Sequence, residues 1–149
     1  MKQVEIITKS AKETKKIAAN LSEELKERLL LKHAFMIALE GNLGSGKTTF
    51  IQGLAAGLGI KENVLSPTFL ILKQFIVNQK NYKNFYHIDA YRLKNPKELL
   101  ELGFKDLVKN PENIIVIEWA DRVRKILPKN ISKIKFENLG KNRRKISVF

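Results

Sequence analysis

Residues 41–50 read GNLGSGKTTF, and within them Gly41 to Thr48 fill the pattern G-x-x-x-x-G-K-[ST] of a phosphate-binding loop. Glycines at these positions let the backbone curl until successive N–H groups point at one anion. A helix starting near Lys47 would add its positive dipole end to the same point. Lys47 is then placed to reach the β- and γ-phosphates of a nucleotide, and the Thr48 hydroxyl to ligate Mg²⁺. The flanks supply the context that such a loop requires. AFMIALE (34–40) is a short apolar run that ends at Gly41 and reads as a buried strand, while KTTFIQGLAAGL (47–58) reads as a helix closed by Gly57 and Gly59. Strand, glycine loop and helix in succession mark an α/β fold.

The pattern continues in both directions. VEIIT (4–8) reads as a strand, and SAKE (10–13) fits a capping box opening a helix whose apolar face is Ile17, Ala18, Leu21, Leu25 and Leu29. TFLILKQFIV (68–77) and FYHIDAY (85–91), separated by the polar NQKNYKN (78–84), predict a hairpin with a long turn. PKELLELGF (96–104) predicts a helix with proline at its first position and Gly103 near its end. NIIVIEW (113–119) reads as another buried strand, and the tail around NLGKN (138–142) as a C-terminal hairpin. No repeat, linker or boundary divides the chain, so residues 1–149 are expected to form one domain.

The chain has 149 residues, 44% of them hydrophobic and 29% charged, the range of a globular protein with an ordinary core. It holds no cysteine, which excludes disulfides and thiolate metal sites. The opening MKQVEIITKSAKE lacks the continuous apolar segment of a secretory signal, and no apolar run is long enough to cross a bilayer. A cytoplasmic protein without membrane contact is expected. The net charge of +13 is uneven, with eleven Lys or Arg against four Asp or Glu in residues 109–149. Such a surface attracts polyanions, tRNA among them, although Lys-rich composition alone produces the same excess.

A phosphate loop needs an acid to hold Mg²⁺ from the opposite side. Asp89 closes FYHID and Glu118 closes IIVIE, which places both acids at the strand ends where open α/β sheets bind ligands. His87, two residues before Asp89, shares that residue's side of the strand and reads as structural. Asp89 is followed by Ala90, Tyr91 and Arg92, so the D-x-x-G of guanine-binding switches is absent, as are N-K-x-D and L-S-G-G-Q. A small-molecule kinase would need a substrate pocket and an arginine-bearing lid, for which Arg92, Arg122 and Arg124 are available.

Five motifs in order, GNLGSGKTTF (41–50), SPTF (66–69), HIDAYRL (87–93), ELGFKDL (101–107) and VIEWADR (116–122), resemble the TsaE family of small bacterial ATPases in tRNA threonylcarbamoyladenosine (t6A) biosynthesis. The resemblance runs from about Ala34 to Pro128. It implies a P-loop NTPase-like three-layer sandwich whose sheet mixes parallel and antiparallel strands. It also implies ATP hydrolysis coupled to a TsaB–TsaD pair that installs the threonylcarbamoyl group on adenosine 37 of ANN-decoding tRNAs, with a monomer in isolation. Carried over by position, Leu43, Gly44, Ser45, Gly46, Lys47, Thr48 and Thr49 would hold the nucleotide. Thr48 and Glu118 would hold Mg²⁺, Asp89 would take the Walker-B-like place at the metal, and Asp89 and Glu118 would be the catalytic acids. Ser66 and Thr68 would belong to a switch-like segment near the γ-phosphate, and Trp119 would lie beside the base. Asn42 and Ser45 depart from the Asp and Ala usual in the family, both at variable positions of the loop. Lys141, Arg143 and Arg144 are candidates for reaching the adenine. Two rivals remain at this stage: a kinase using the same loop, and a basic nucleic-acid-binding module regulated by ATP.

Overall fold

In the computed structural model, which describes residues 3–28, 30–65, 70–129 and 131–149, seven strands form one sheet in the order β1-β7-β6-β2-β5-β4-β3. The strands are β1 (Val4–Thr8), β2 (Phe35–Gly41), β3 (Leu72–Ile76), β4 (Asn84–Asp89), β5 (Asn113–Glu118), β6 (Ser132–Gly140) and β7 (Arg143–Val148). The central strands β6, β2, β5 and β4 run parallel, while β3 pairs antiparallel with β4, β7 with β6, and β1 with β7. The sheet is thus mixed, as expected. The parallel strands are the apolar ones: every residue of β5 is buried, as are the first five of β2. Strands covered on both faces have no polar side to alternate with.

Two cores lie on opposite faces, which gives the three layers. On one face α1 (Ala11–Glu27) and α2 (Lys47–Gly57) cover Ile37, Leu39, Ile114, Val116, Phe136 and their neighbours. Contact between the two helices is close enough that a Cβ on Gly57 would lie 1.9 Å from Ser22 Oγ. On the other face α3 (Lys97–Glu101), α4 (Phe104–Lys109) and a 3-10 segment (Ala120–Ile126) cover Met36, Ala38, Ile88, Ile115 and Ile117. Among the described residues, β1, β7 and β6 contribute no buried side chain to this second core.

Local signals act as their chemistry dictates. Ser10 caps α1 by accepting from the Glu13 N–H at 3.1 Å, and Glu13 reaches back to the Lys9 N–H at 2.6 Å, one residue earlier than in the usual box. Leu29, expected on the apolar face, lies outside the described residues. The predicted 96–104 helix is instead two short helices, because Gly103 takes a left-handed conformation (φ 86°) and starts a new one; Pro96 sits at the N-cap rather than inside. The first strand of the central hairpin begins at Leu72, with residues 66–69 outside the described part. In the C-terminal hairpin, Lys141 and Asn142 both have positive φ (51° and 64°), the twist that a tight two-residue turn needs.

Candidate active site

The parallel arrangement of β2, β5 and β4 brings their C-terminal ends to one edge of the sheet. There β2 runs into the glycine loop, β5 delivers Glu118 and β4 delivers Asp89, with Asp89 and Glu118 in register across the two strands. This is the edge at which such sheets take ligands. The loop enters α2 through Gly46 (φ 104°), and no side chain caps the helix. The first N–H groups of α2 are therefore left for an anion. A Cβ at Gly46 would also lie 2.5 Å from Cδ of Arg144, so any other residue there would displace that arginine.

Lys47 is buried, and its Nζ donates to the carbonyls of Gly41 and, at 3.1 Å, Asn42. The same ammonium lies 4.1 Å from the centre of the Trp119 ring. Burial holds it below the usual lysine range, and Glu118, Asp89 and Asp121, in that order, pull it partly back. The lysine is thus folded against its own loop and held there by a carbonyl pair and a ring face.

Glu118 is nearly inaccessible, and each of its oxygens has a partner. Thr48 Oγ1 donates to Oε1 at 3.1 Å, and His87 Nε2 lies 2.7 Å from Oε2. Asp89 Oδ1 accepts from the Tyr91 N–H at 3.0 Å, which shapes the turn after β4. Tyr91 then packs against Trp119 with the rings tilted at 49° (4.9 Å between centres), and Arg122 lies over both. Trp119 itself sits at the β5 exit with φ 57° and ψ 41°, a left-handed conformation rare for a bulky residue, and its ring is turned to Lys47.

These groups border a cleft of about 220 Å³ lined by Leu43 to Thr49, Asp89, Tyr91, Glu118, Trp119 and Arg144. All the expected nucleotide-binding positions, both acids and Trp119 are brought together there. Ser66 and Thr68 lie outside the described residues. Of the tail candidates, only Arg144 lines the cleft. Its signal was in the strand alternation, since Arg144 is two residues before buried Ile146 and faces the helical side of β7 with it. Tyr91 and the His87–Glu118 contact were not read from sequence, because both depend on the register of β4 against β5.

The donor set fits a magnesium–polyphosphate. Arg144 Nε and Nη1 and Ser45 Oγ are buried without a hydrogen-bond partner among the described residues, so three donors await acceptors at the cleft. Thr48 Oγ1 and Glu118 Oε1 are hard oxygen ligands of the kind Mg²⁺ prefers, alongside substrate phosphates and water.

A glycine loop between a parallel strand and a helix, facing acids on the neighbouring strand ends, defines the class of P-loop nucleotide-binding α/β proteins. A family model described as Threonylcarbamoyl adenosine biosynthesis protein TsaE matches residues 8–146. Among similar proteins, the TsaE of Rickettsia felis is 34% identical over 144 residues, covering 96% of this chain and 78% of that protein. That of Bacillus subtilis is 35% identical over 147 residues, covering 99% and 85%. The crystal structure of Bacillus subtilis YdiB superposes with a TM-score of 0.77 at 31% identity, covering 99% of this chain and 84% of that one. The chain belongs to the TsaE family and acts in tRNA threonylcarbamoyladenosine biosynthesis. No described helix is long and apolar enough to cross a membrane.

Proposed function

We propose that the chain is a Mg²⁺-dependent ATPase whose hydrolysis drives turnover of a TsaB–TsaD-like pair, the pair that transfers the threonylcarbamoyl group to adenosine 37 of ANN-decoding tRNAs. The observation that carries this reading is convergence in one cleft: the loop, the Thr48–Glu118 pair and the unpartnered donors of Arg144 all face the same space.

The residues divide the work. The amides of residues 43–48 and the start of α2 cradle the phosphates. Lys47 exchanges its carbonyl partners for phosphate oxygens as it leaves the Trp119 face. Arg144 supplies charge-assisted hydrogen bonds from the β7 side. Thr48 and Glu118 would hold Mg²⁺, which would supply neutralisation of phosphate charge. Asp89 sits beside Glu118 and serves to orient the attacking water. Ser66 and Thr68, which lie outside the described residues, are assigned a switch-like role by the family resemblance alone, and Trp119 borders the base. Catalysis in such sites is positioning plus charge stabilisation, so a partner that supplies or orders one more group can change the rate by orders of magnitude.

Phosphate release from labelled ATP tests this. Slow release by the protein alone, accelerated by the partner pair and abolished by Lys47→Ala, is the expected result. Label recovered on a small-molecule hydroxyl would make the chain a kinase. Salt-dependent tRNA binding indifferent to ATP, without hydrolysis, would make it a nucleic-acid-binding module.

A further inference from the structure

His87 lies on β4 with its side chain fully buried, and its Nε2 is 2.7 Å from Glu118 Oε2. A carboxylate oxygen only accepts, so Nε2 is the donor. Its other nitrogen, Nδ1, is buried without a hydrogen-bond partner among the described residues. The ring therefore ends at the carboxylate and does not pass a proton onward to another described side chain. A position needed only for packing would be filled better by an apolar ring, which leaves no polar atom unpaired.

The strand register explains the reach. Asp89 pairs with Glu118 and His87 with Val116, so His87 stands one step back from the acids on the same side of the sheet. From there it meets the Glu118 oxygen that Thr48 does not. With Oε2 fixed by His87, Oε1 is left turned toward Thr48 Oγ1 at 3.1 Å. A glutamate side chain has three rotatable bonds, and a carboxylate at a strand end is held in one orientation only if something holds its far oxygen.

We propose that His87 is a positioning residue for Mg²⁺: by donating to Oε2 it keeps Glu118 in the orientation in which Oε1 and Thr48 can share one cation. The proposal rests on reading Thr48 and Glu118 as the magnesium pair. Partners of this kind, one bond removed from the cation, are worth about 10–100-fold in metal affinity.

The test is calorimetry of Mg²⁺ binding to the protein–ADP complex, with ADP affinity measured separately in the absence of Mg²⁺. His87→Phe keeps a buried ring without the donor, His87→Leu is a second donor-free variant, and His87→Gln restores an N–H near the position of Nε2. In the donor-free variants ADP alone should bind within about twofold of wild type, while Mg²⁺ affinity should fall about tenfold or more, and His87→Gln should recover most of the loss. Glu118→Ala is the control. Mg²⁺ affinity lost in Glu118→Ala but kept in a donor-free His87 variant would overturn the role of His87 alone. Mg²⁺ affinity kept in both would overturn the magnesium pair, and the role of His87 with it.

Discussion

Lys47 is held between opposing forces. Burial lowers its proton affinity, and the carboxylates of Glu118, Asp89 and Asp121 raise it again without restoring the ordinary lysine value of 10.5. A bound polyphosphate adds negative charge beside the ammonium and raises it further. The protein should therefore take up a proton on binding ATP at alkaline pH below 10.5, where the free site has begun to lose one. Affinity should weaken with rising pH earlier than an ordinary lysine would require. Binding heats in two buffers of different ionisation enthalpy measure this, and equal heats up to pH ~10 would contradict it. Lys47→Ala should lose ATP binding outright. Arg144→Ala should weaken ATP binding about tenfold or more, the scale of a lost charge-assisted hydrogen bond, with little change in thermal stability. The sequence pointed to Lys47 and Thr48 through their offsets in the loop motif, and to Asp89 and Glu118 through their places at the ends of strand-like runs. It offered Arg144 only as one of three basic residues, since the face of a strand is settled by which neighbours are buried. It left His87 as structural, because the partner that gives this histidine a role is 31 residues away.

At the scale of elements, the strand–loop–helix of β2 and α2 was legible because its apolar run, glycines and helix all point the same way. The same holds for the capped α1 and for both hairpins. Two pieces were not. The break between α3 and α4 depends on a left-handed Gly103, and a glycine near a helix end reads equally as a stop or a new start. The 3-10 segment places Ala120 and Val123 in the second core, with Ile126 packed against it. The segment is two short turns joined by a kink at Val123 (φ −121°, ψ 18°), so no helical period runs long enough to stand out in the sequence. The element that positions the loop is α2, pressed onto α1 at Gly57. Gly57→Ala should cost about 1–3 kcal/mol by forcing the helices apart, measured by denaturant unfolding, and a neutral effect would mean that the helices separate freely there. Ser10→Ala should cost about 1 kcal/mol through loss of the cap while leaving ATP affinity unchanged, since Ser10 caps α1 and does not line the cleft.

Across the whole molecule, the basic tail divides into two parts that composition could not separate. Arg144 faces the cleft, whereas Lys145 alternates onto the opposite side of β7 and Lys141 stands at the hairpin tip. On that side, among the described residues, β1, β7 and β6 contribute no buried side chain to the second core, and they carry charges of both signs, as in the Lys145–Glu5 pair at 3.5 Å. Neutralising Lys141, Arg143 and Lys145 together should weaken association with tRNA or the partner pair most at low salt and leave ATP affinity intact. Equal association across a salt series would make the +13 charge compositional. The central claim, that hydrolysis in this cleft drives turnover of the modifying pair, is tested most directly by multiple-turnover t6A formation. TsaB–TsaD, tRNA and ATP are combined with either the wild type or Glu118→Ala. Wild type should support many rounds of modification per enzyme, and Glu118→Ala, still binding ATP, should stall after about one. Equal numbers of turnovers with the variant, or with no added protein at all, would contradict the claim.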